Sequence, residues 1–155
     1  MHVRESGPDD LRAIVRLFTA SVHALGADAY DERQRDAWAP RTPDLARWRE
    51  RLAALHVLVA EEGDELVGFA SYRDDGYVDH LFTAAGCARR GVATTLHDEL
   101  VARLAERGVT ELSTHASDVA RPFFERQGYV VVEREVVQLR GVDIPRSAMR
   151  RTCRY

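Results

Sequence analysis

The run Ala88-Arg89-Arg90-Gly91-Val92-Ala93 carries the chemistry most plainly legible in this chain. It follows an apolar, strand-like stretch, Tyr77–Thr83, and it opens an amphipathic helical pattern. The first backbone N–H groups of a helix have no intrahelical acceptor, and the helix dipole favours negative charge at that end. Two arginines and a glycine at such a point suit the binding of phosphate groups. Gly91 lets the backbone approach an anion with no side chain in the way. The side chains of Arg89 and Arg90 have two readings, charge beside phosphate or a solvated loop. The backbone carries the argument in either case.

Asp79 is the second point of chemical interest, an acid inside Tyr77-Val78-Asp79-His80-Leu81-Phe82. A buried carboxylate needs a partner, a cavity or a raised pKa, whereas one at a strand edge can face solvent. His80 is of a type that titrates near neutrality. Strand alternation sends it to the face opposite Asp79, so the two share a pocket only if the strand bulges. Cys87 has no neighbouring base to activate it as a nucleophile. The two cysteines, Cys87 and Cys153, lack metal-ligand spacing, and the six histidines form no HExxH pair, so no metal site is expected. A GxxxxGK[ST] phosphate loop is also missing, which disfavours a nucleotide-binding protein of that kind.

Positioning these groups requires an alternation of strands and helices. Val3–Glu5 reads as a strand. Pro8-Asp9-Asp10 starts a helix with Leu11, Ile14, Val15, Phe18 and Val22 at helical spacing, and Gly26 ends it. A second helical region spans about Asp31 to Leu55, broken near Pro40 and Pro43. Val57–Glu62 and Leu66–Asp74 flank the hairpin signal Gly63-Asp64, and Asp75-Gly76 turns the chain into Tyr77–Thr83. Val92, Leu96, Leu100 and Leu104 form one helical stripe that ends at Gly108. Thr110–His115 is a strand, Ala120–Gln127 a short helix, and Val130–Leu139 and about Arg146–Thr152 are closing strands. The order predicts an α/β fold with a mixed sheet and helices on both faces.

At 155 residues the chain is expected to form one domain, 1–155. Its 45% hydrophobic and 30% charged content is ordinary for a globular protein. A net charge of −3 argues against nucleic-acid binding by bulk charge. Leu52–Ala60, the longest apolar-rich run, is too short to span a bilayer. The start, Met-His-Val-Arg-Glu-Ser, is no secretory signal. The expectation is a cytoplasmic protein with no membrane partner.

The element order, with Arg-Arg-Gly-Val-Ala between a strand and its helix, resembles the GCN5-related N-acetyltransferase (GNAT) family. The family's Gln/Arg-x-x-Gly-x-Gly/Ala pattern falls on Ala88 to Ala93, with Ala88 where Gln or Arg is usual. Ser117-x-x-Ala120-x-x-Phe123-Phe124-x-x-x-Gly128-Tyr129 is similar to its Asn-x-x-Ala-x-x-Phe-Tyr-x-x-x-Gly-Phe segment. The resemblance covers Val57 to Tyr129 well and the flanking segments in pattern only. It implies a GNAT-like, mostly antiparallel sheet of about six to seven strands, and transfer of an acetyl group from acetyl-CoA to the amine of a small molecule or peptide, directly in a ternary complex. A non-catalytic acyl-CoA-binding or sensing domain is the alternative.

The resemblance also implies residue roles. Backbone amides of Arg89, Arg90, Gly91, Val92, Ala93 and Thr94 would hold the pyrophosphate, and the edge of Leu81, Phe82 and Thr83 would pair with the pantetheine arm. Asp79 stands where some members carry a glutamate base and would act through water, with His80 in reserve. Phe124 stands where many members have a tyrosine that protonates the thiolate; it reads equally as a core aromatic. Ser117 would reach the CoA arm or cap the following helix. His115 would face the acceptor channel or be an ordinary strand-end residue. His23, Tyr30 and Trp38 would line the acceptor pocket or serve the core. The net charge gives slight support to a cationic or neutral amine, and a homodimer is common for this fold.

Overall fold

The computed structural model describes residues 1–154. Seven strands, β1 (His2–Glu5), β2 (His56–Glu62), β3 (Glu65–Tyr72), β4 (Tyr77–Thr83), β5 (Glu111–Ser117), β6 (Val130–Leu139) and β7 (Val142–Thr152), form one sheet in the order β1-β2-β3-β4-β5-β7-β6. Neighbouring pairs are antiparallel except β4 and β5, which run parallel. Helices α1 (Leu11–Leu25), α2 (Glu32–Trp38), α3 (Leu45–Ala53), α4 (Val92–Glu106) and α5 (Arg121–Arg126) connect them.

Alternation along β2 explains why the sheet is covered on both sides. Leu58 and Ala60 pack with α4, whose stripe Val92, Leu96, Leu100 and Leu104 is buried against that face. Val57 and Val59 point the other way and pack with Ile14, Leu17, Phe18 and Val22 of α1. Each fully buried leucine of the α4 stripe contributes about 2 kcal/mol. Gly68 of β3 sets how closely α4 approaches: a Cβ there would lie 2.6 Å from Val92 Cγ1 and 3.0 Å from Leu96 Cδ1.

Two irregularities in β4 create the site. Ser71 pairs with His80 and Tyr72 with Val78, so Asp79 is an extra, bulged residue. Beyond the bulge the sheet splits. β4 pairs with β5 only at Tyr77↔Ser113 and Val78↔Thr114. Leu81, Phe82 and Thr83 keep their partners in β3, and among the described residues no strand pairs with their other edge.

The structure differs from the sequence reading in two further places. The Pro8-Asp9-Asp10 segment forms a 3-10 turn ahead of α1 rather than its first α-turn. β7 begins at Val142, not at about Arg146. Pro145 pairs with Val136 in β6 while the β5 ladder starts one residue later, at Ser117↔Arg146. One edge of β7 is therefore free at the proline, where no strand N–H is required.

Candidate active site

The bulge decides which groups meet. Strict alternation would have put Asp79 and His80 on opposite faces; the extra residue instead brings both into the lining of one cavity. His80 Nδ1 lies 3.8 Å from Asp79 Oδ2 and 2.6 Å from Ser71 Oγ. Burial pushes the His80 imidazole down to about 4, against the opposing pull of Asp79, so the ring is neutral at neutral pH. Asp79 is not unpaired. Arg51 of α3 donates from Nη2 to Oδ1 at 2.9 Å and from Nε to Oδ2 at 3.2 Å.

The cavity has a volume of about 330 Å³. Its apolar wall is an aromatic cluster in which Phe18 meets Trp48 at 4.8 Å, Phe82 at 4.9 Å and Trp38 at 6.2 Å between ring centroids. Its charge is opposite to that of the whole chain. Arg47, Arg51, Arg140 and Arg146 line it against two carboxylates, Asp44 and Asp79. The net charge of the sequence, which favours a cationic or neutral acceptor, is thus no guide to the local field.

The other residues singled out from the sequence divide. Trp38 lines the cavity. Tyr30 also reaches it but is 2% exposed, and its hydroxyl is spent in donating to Pro145 O and accepting from Asp118 N–H. The structure does not bring His23 to the cavity: its Nε2 lies 2.7 Å from Ala39 O and its Nδ1 3.2 Å from Arg41 Nη2, so it supports the loop after α2. His115 reaches the rim, with Nδ1 2.7 Å from the Tyr77 hydroxyl and Nε2 3.5 Å from Glu135 Oε1. Ser117 lines the cavity while its Oγ accepts the Ala120 N–H in the turn ahead of α5; the N-cap of that helix is Ala120, with no side-chain cap, so Ser117 closes the turn rather than capping the helix. Phe124 is 3% exposed and packs against Phe123, Tyr129 and His97, presenting one side to the cavity. It has no proton to give.

Along β4 from the cavity lies the turn into α4. Gly91 is the N-cap, in the left-handed region at φ +83, and no side chain caps the helix. A Cβ at Gly91 would meet nothing within 4 Å. The amides of Val92, Ala93 and Thr94 belong to the first turn, where no intrahelical acceptor exists. Arg89 also adopts a positive φ, 63°, and is exposed. Arg90 leans back, with Nη2 3.5 Å from Glu62 Oε2. The open helix end, the unpaired edge of Leu81–Thr83 and the cavity at the bulge form one continuous path along a single strand. These features fit an extended acyl-CoA with its phosphates at α4 and its thioester at the cavity.

Sequence reasoning missed Arg51, Gly68 and the pair His97–Tyr129. Arg47 and Arg51 are four residues apart around Trp48, a spacing that puts them on one helix face and was available to find them. The His97 ring lies on the core side of α4, 0% exposed, with Nε2 2.8 Å from the Tyr129 hydroxyl and Nδ1 without a partner among the described residues. No helix among the described residues is long and apolar enough to cross a membrane.

A family profile described as "Acetyltransferase (GNAT) domain" matches residues 26–145. The curated protein "Uncharacterized N-acetyltransferase YafP" of Escherichia coli is 36% identical over 141 residues, 91% of this chain and 89% of that one. A solved GCN5-related N-acetyltransferase from Rhodopseudomonas palustris superposes with a TM-score of 0.93 at 34% identity, covering 97% of this chain and 94% of that one. The PaiA N-acetyltransferase of Thermoplasma acidophilum, solved in complex with coenzyme A, shares the fold with a TM-score of 0.73 at 18% identity, over 97% of this chain and 98% of that one.

Proposed function

This chain belongs to the GNAT acetyltransferase family, and from that premise we propose that it moves an acetyl group from acetyl-CoA to the amine of a small molecule or peptide, directly in a ternary complex. The observation that carries the reading is the continuity along β4: an uncapped helix end, an unpaired strand edge, and a cavity with Asp79 at the point where the sheet splits. The same reading takes residues 1–155 as one domain working in the cytoplasm.

Acetyl-CoA supplies an acetyl thioester. The reaction forms a C–N bond, breaks the C–S bond, removes a proton from the amine and delivers one to the departing thiolate. The amides of Val92, Ala93 and Thr94, with Gly91, hold the phosphates. The open edge of Leu81, Phe82 and Thr83 orients the arm and fixes where the reacting carbon lies. Asp79 takes the amine proton through water, its carboxylate oriented by Arg51. His80, neutral and tied to Ser71, shapes the wall beside it. Phe124 supplies an apolar surface and no acid, so solvent protonates the thiolate, a stable leaving group.

The test has two arms. Acetyl-CoA should raise the thermal midpoint through binding to the native state, and free thiol should appear when an amine panel is added. No stabilisation sinks any use of acyl-CoA. Stabilisation without thiol release from any amine leaves the non-catalytic alternative in its place.

A further inference from the structure

The cavity's four arginines are not equivalent. Arg51 is held by Asp79, and Arg146 donates to Glu135 at 2.6 Å. Arg47 and Arg140 have no carboxylate partner among the described residues, although both line the cavity. The turn given to phosphate above, Arg89 to Thr94, is not part of that lining, so these two cations stand apart from it.

Arg140 carries a second, independent mark. It sits in the two-residue turn between β6 and β7, where Leu139 pairs with Val142, and has φ +49 followed by Gly141 at φ +76. A turn with positive φ at both central residues favours Asn, Asp or Gly at the first position. An arginine there is strained, and such strain persists where a site uses it. Its Nη1 donates to Ala37 O at 2.6 Å, which stretches the side chain across to the end of α2 and holds the guanidinium over the cavity. The turn itself has no need of that side chain.

We propose that the acceptor amine also carries a carboxylate on an apolar or aromatic body, and that Arg47 and Arg140 bind this carboxylate. The inference rests on reading the cavity as the acceptor site. The amine lies toward Asp79, the body against Phe18, Trp38, Trp48 and Phe82, and the carboxylate at the two guanidiniums that lack a carboxylate partner. Arginine forms charge-assisted, often bidentate bonds with such a group. A polyamine or other purely cationic acceptor would instead meet two uncompensated positive charges.

Matched probes test this: phenylalanine against phenethylamine, tryptophan against tryptamine, lysine against cadaverine, each assayed for acetyl transfer with the intact chain. At least one carboxylate-bearing member should exceed its decarboxylated partner in kcat/KM by about tenfold or more, the scale of a charged hydrogen bond. Arg140→Asn, a residue suited to the turn, should shrink that ratio toward one, and Arg47→Gln on the exposed face of α3 should do the same. Equal or inverted preference in all three pairs overturns the proposal, as does an unchanged ratio in both variants. If no amine is acetylated, transfer itself fails, and calorimetry on the CoA-loaded protein decides separately. N-acetylphenylalanine should then bind more tightly than N-acetylphenethylamine, and equal or undetectable binding of the two overturns the carboxylate site.

Discussion

Arg51 holds Asp79 by two hydrogen bonds, at 2.9 and 3.2 Å, across the gap between α3 and the bulge of β4. The pair fixes the position of the carboxylate at the cavity wall, where the proposed reaction has it take the amine proton through water. Asp79→Asn keeps the shape and removes that capacity. A positioned base contributes about 100-fold or more, so kcat should fall by about that factor. The pH–rate profile should lose a limb while CoA affinity, set along α4, stays close to that of the parent. Steady-state rates across pH and CoA titration measure both; an unchanged profile removes Asp79 as proton acceptor.

Gly91→Val puts a β-branched residue at φ +83, with its Cβ in open space at the turn proposed to hold phosphate. The backbone strain should cost about 1–2 kcal/mol. The fold should survive, because no protein atom lies in the way. Binding of acetyl-CoA should weaken by about tenfold, since a side chain now stands where phosphate approaches. Calorimetry reads it, and undiminished affinity would show that phosphate does not approach this glycine.

Gly68→Ala tests the other glycine that the path depends on. Its Cβ would lie 2.6 Å from Val92 Cγ1 and 3.0 Å from Phe82 O, so the first turn of α4 must lift from β3. Overpacking of this kind costs about 1–3 kcal/mol. Denaturant melts should report that loss, and CoA affinity should drop with it because the open end of α4 moves.

Acid should destabilise the fold in a defined window. Burial pushes both His80 and His97 down to about 4 from 6.5. The unfolded chain therefore binds more protons at these two sites between those values, so their contribution to stability is full above about pH 6.5, falls as pH drops toward 4, and is gone below. Each ring contributes up to about 3 kcal/mol across that window. His97→Gln retains a hydrogen-bonding partner for the Tyr129 hydroxyl but cannot titrate. Thermal midpoints measured from neutral pH down to pH 4 should decline less steeply in that variant than in the parent.

Local patterns made much of the frame readable. The stripe Val92, Leu96, Leu100 and Leu104 is a helix in sequence and in space because one apolar face at helical spacing has only one way to be buried. The apolar run Val57–Ala60 likewise read as a strand beside the hairpin signal Gly63-Asp64, and in space its residues are buried on both sides of the sheet. The bulge at Asp79 was not readable, because a one-residue insertion in a ladder depends on the partner strand's register and not on the inserted residue. His23 and Tyr30 looked like binding groups because aromatic and imidazole side chains suit both tasks. Only their contacts, with Ala39 O and with Pro145 O and Asp118 N, assign them to support.

The sequence by itself determined that a glycine-led helix end follows an apolar strand, and that Phe124 has no proton to offer, because both properties belong to residues and their immediate neighbours. The tertiary structure alone decided that β4 parts from β5 after Val78, that Arg51 reaches Asp79, and that a chain of net charge −3 surrounds its cavity with four arginines. Those outcomes depend on which distant elements pack together. Charge and cavity shape are sums over residues far apart in the chain, and only the folded register brings them to one place.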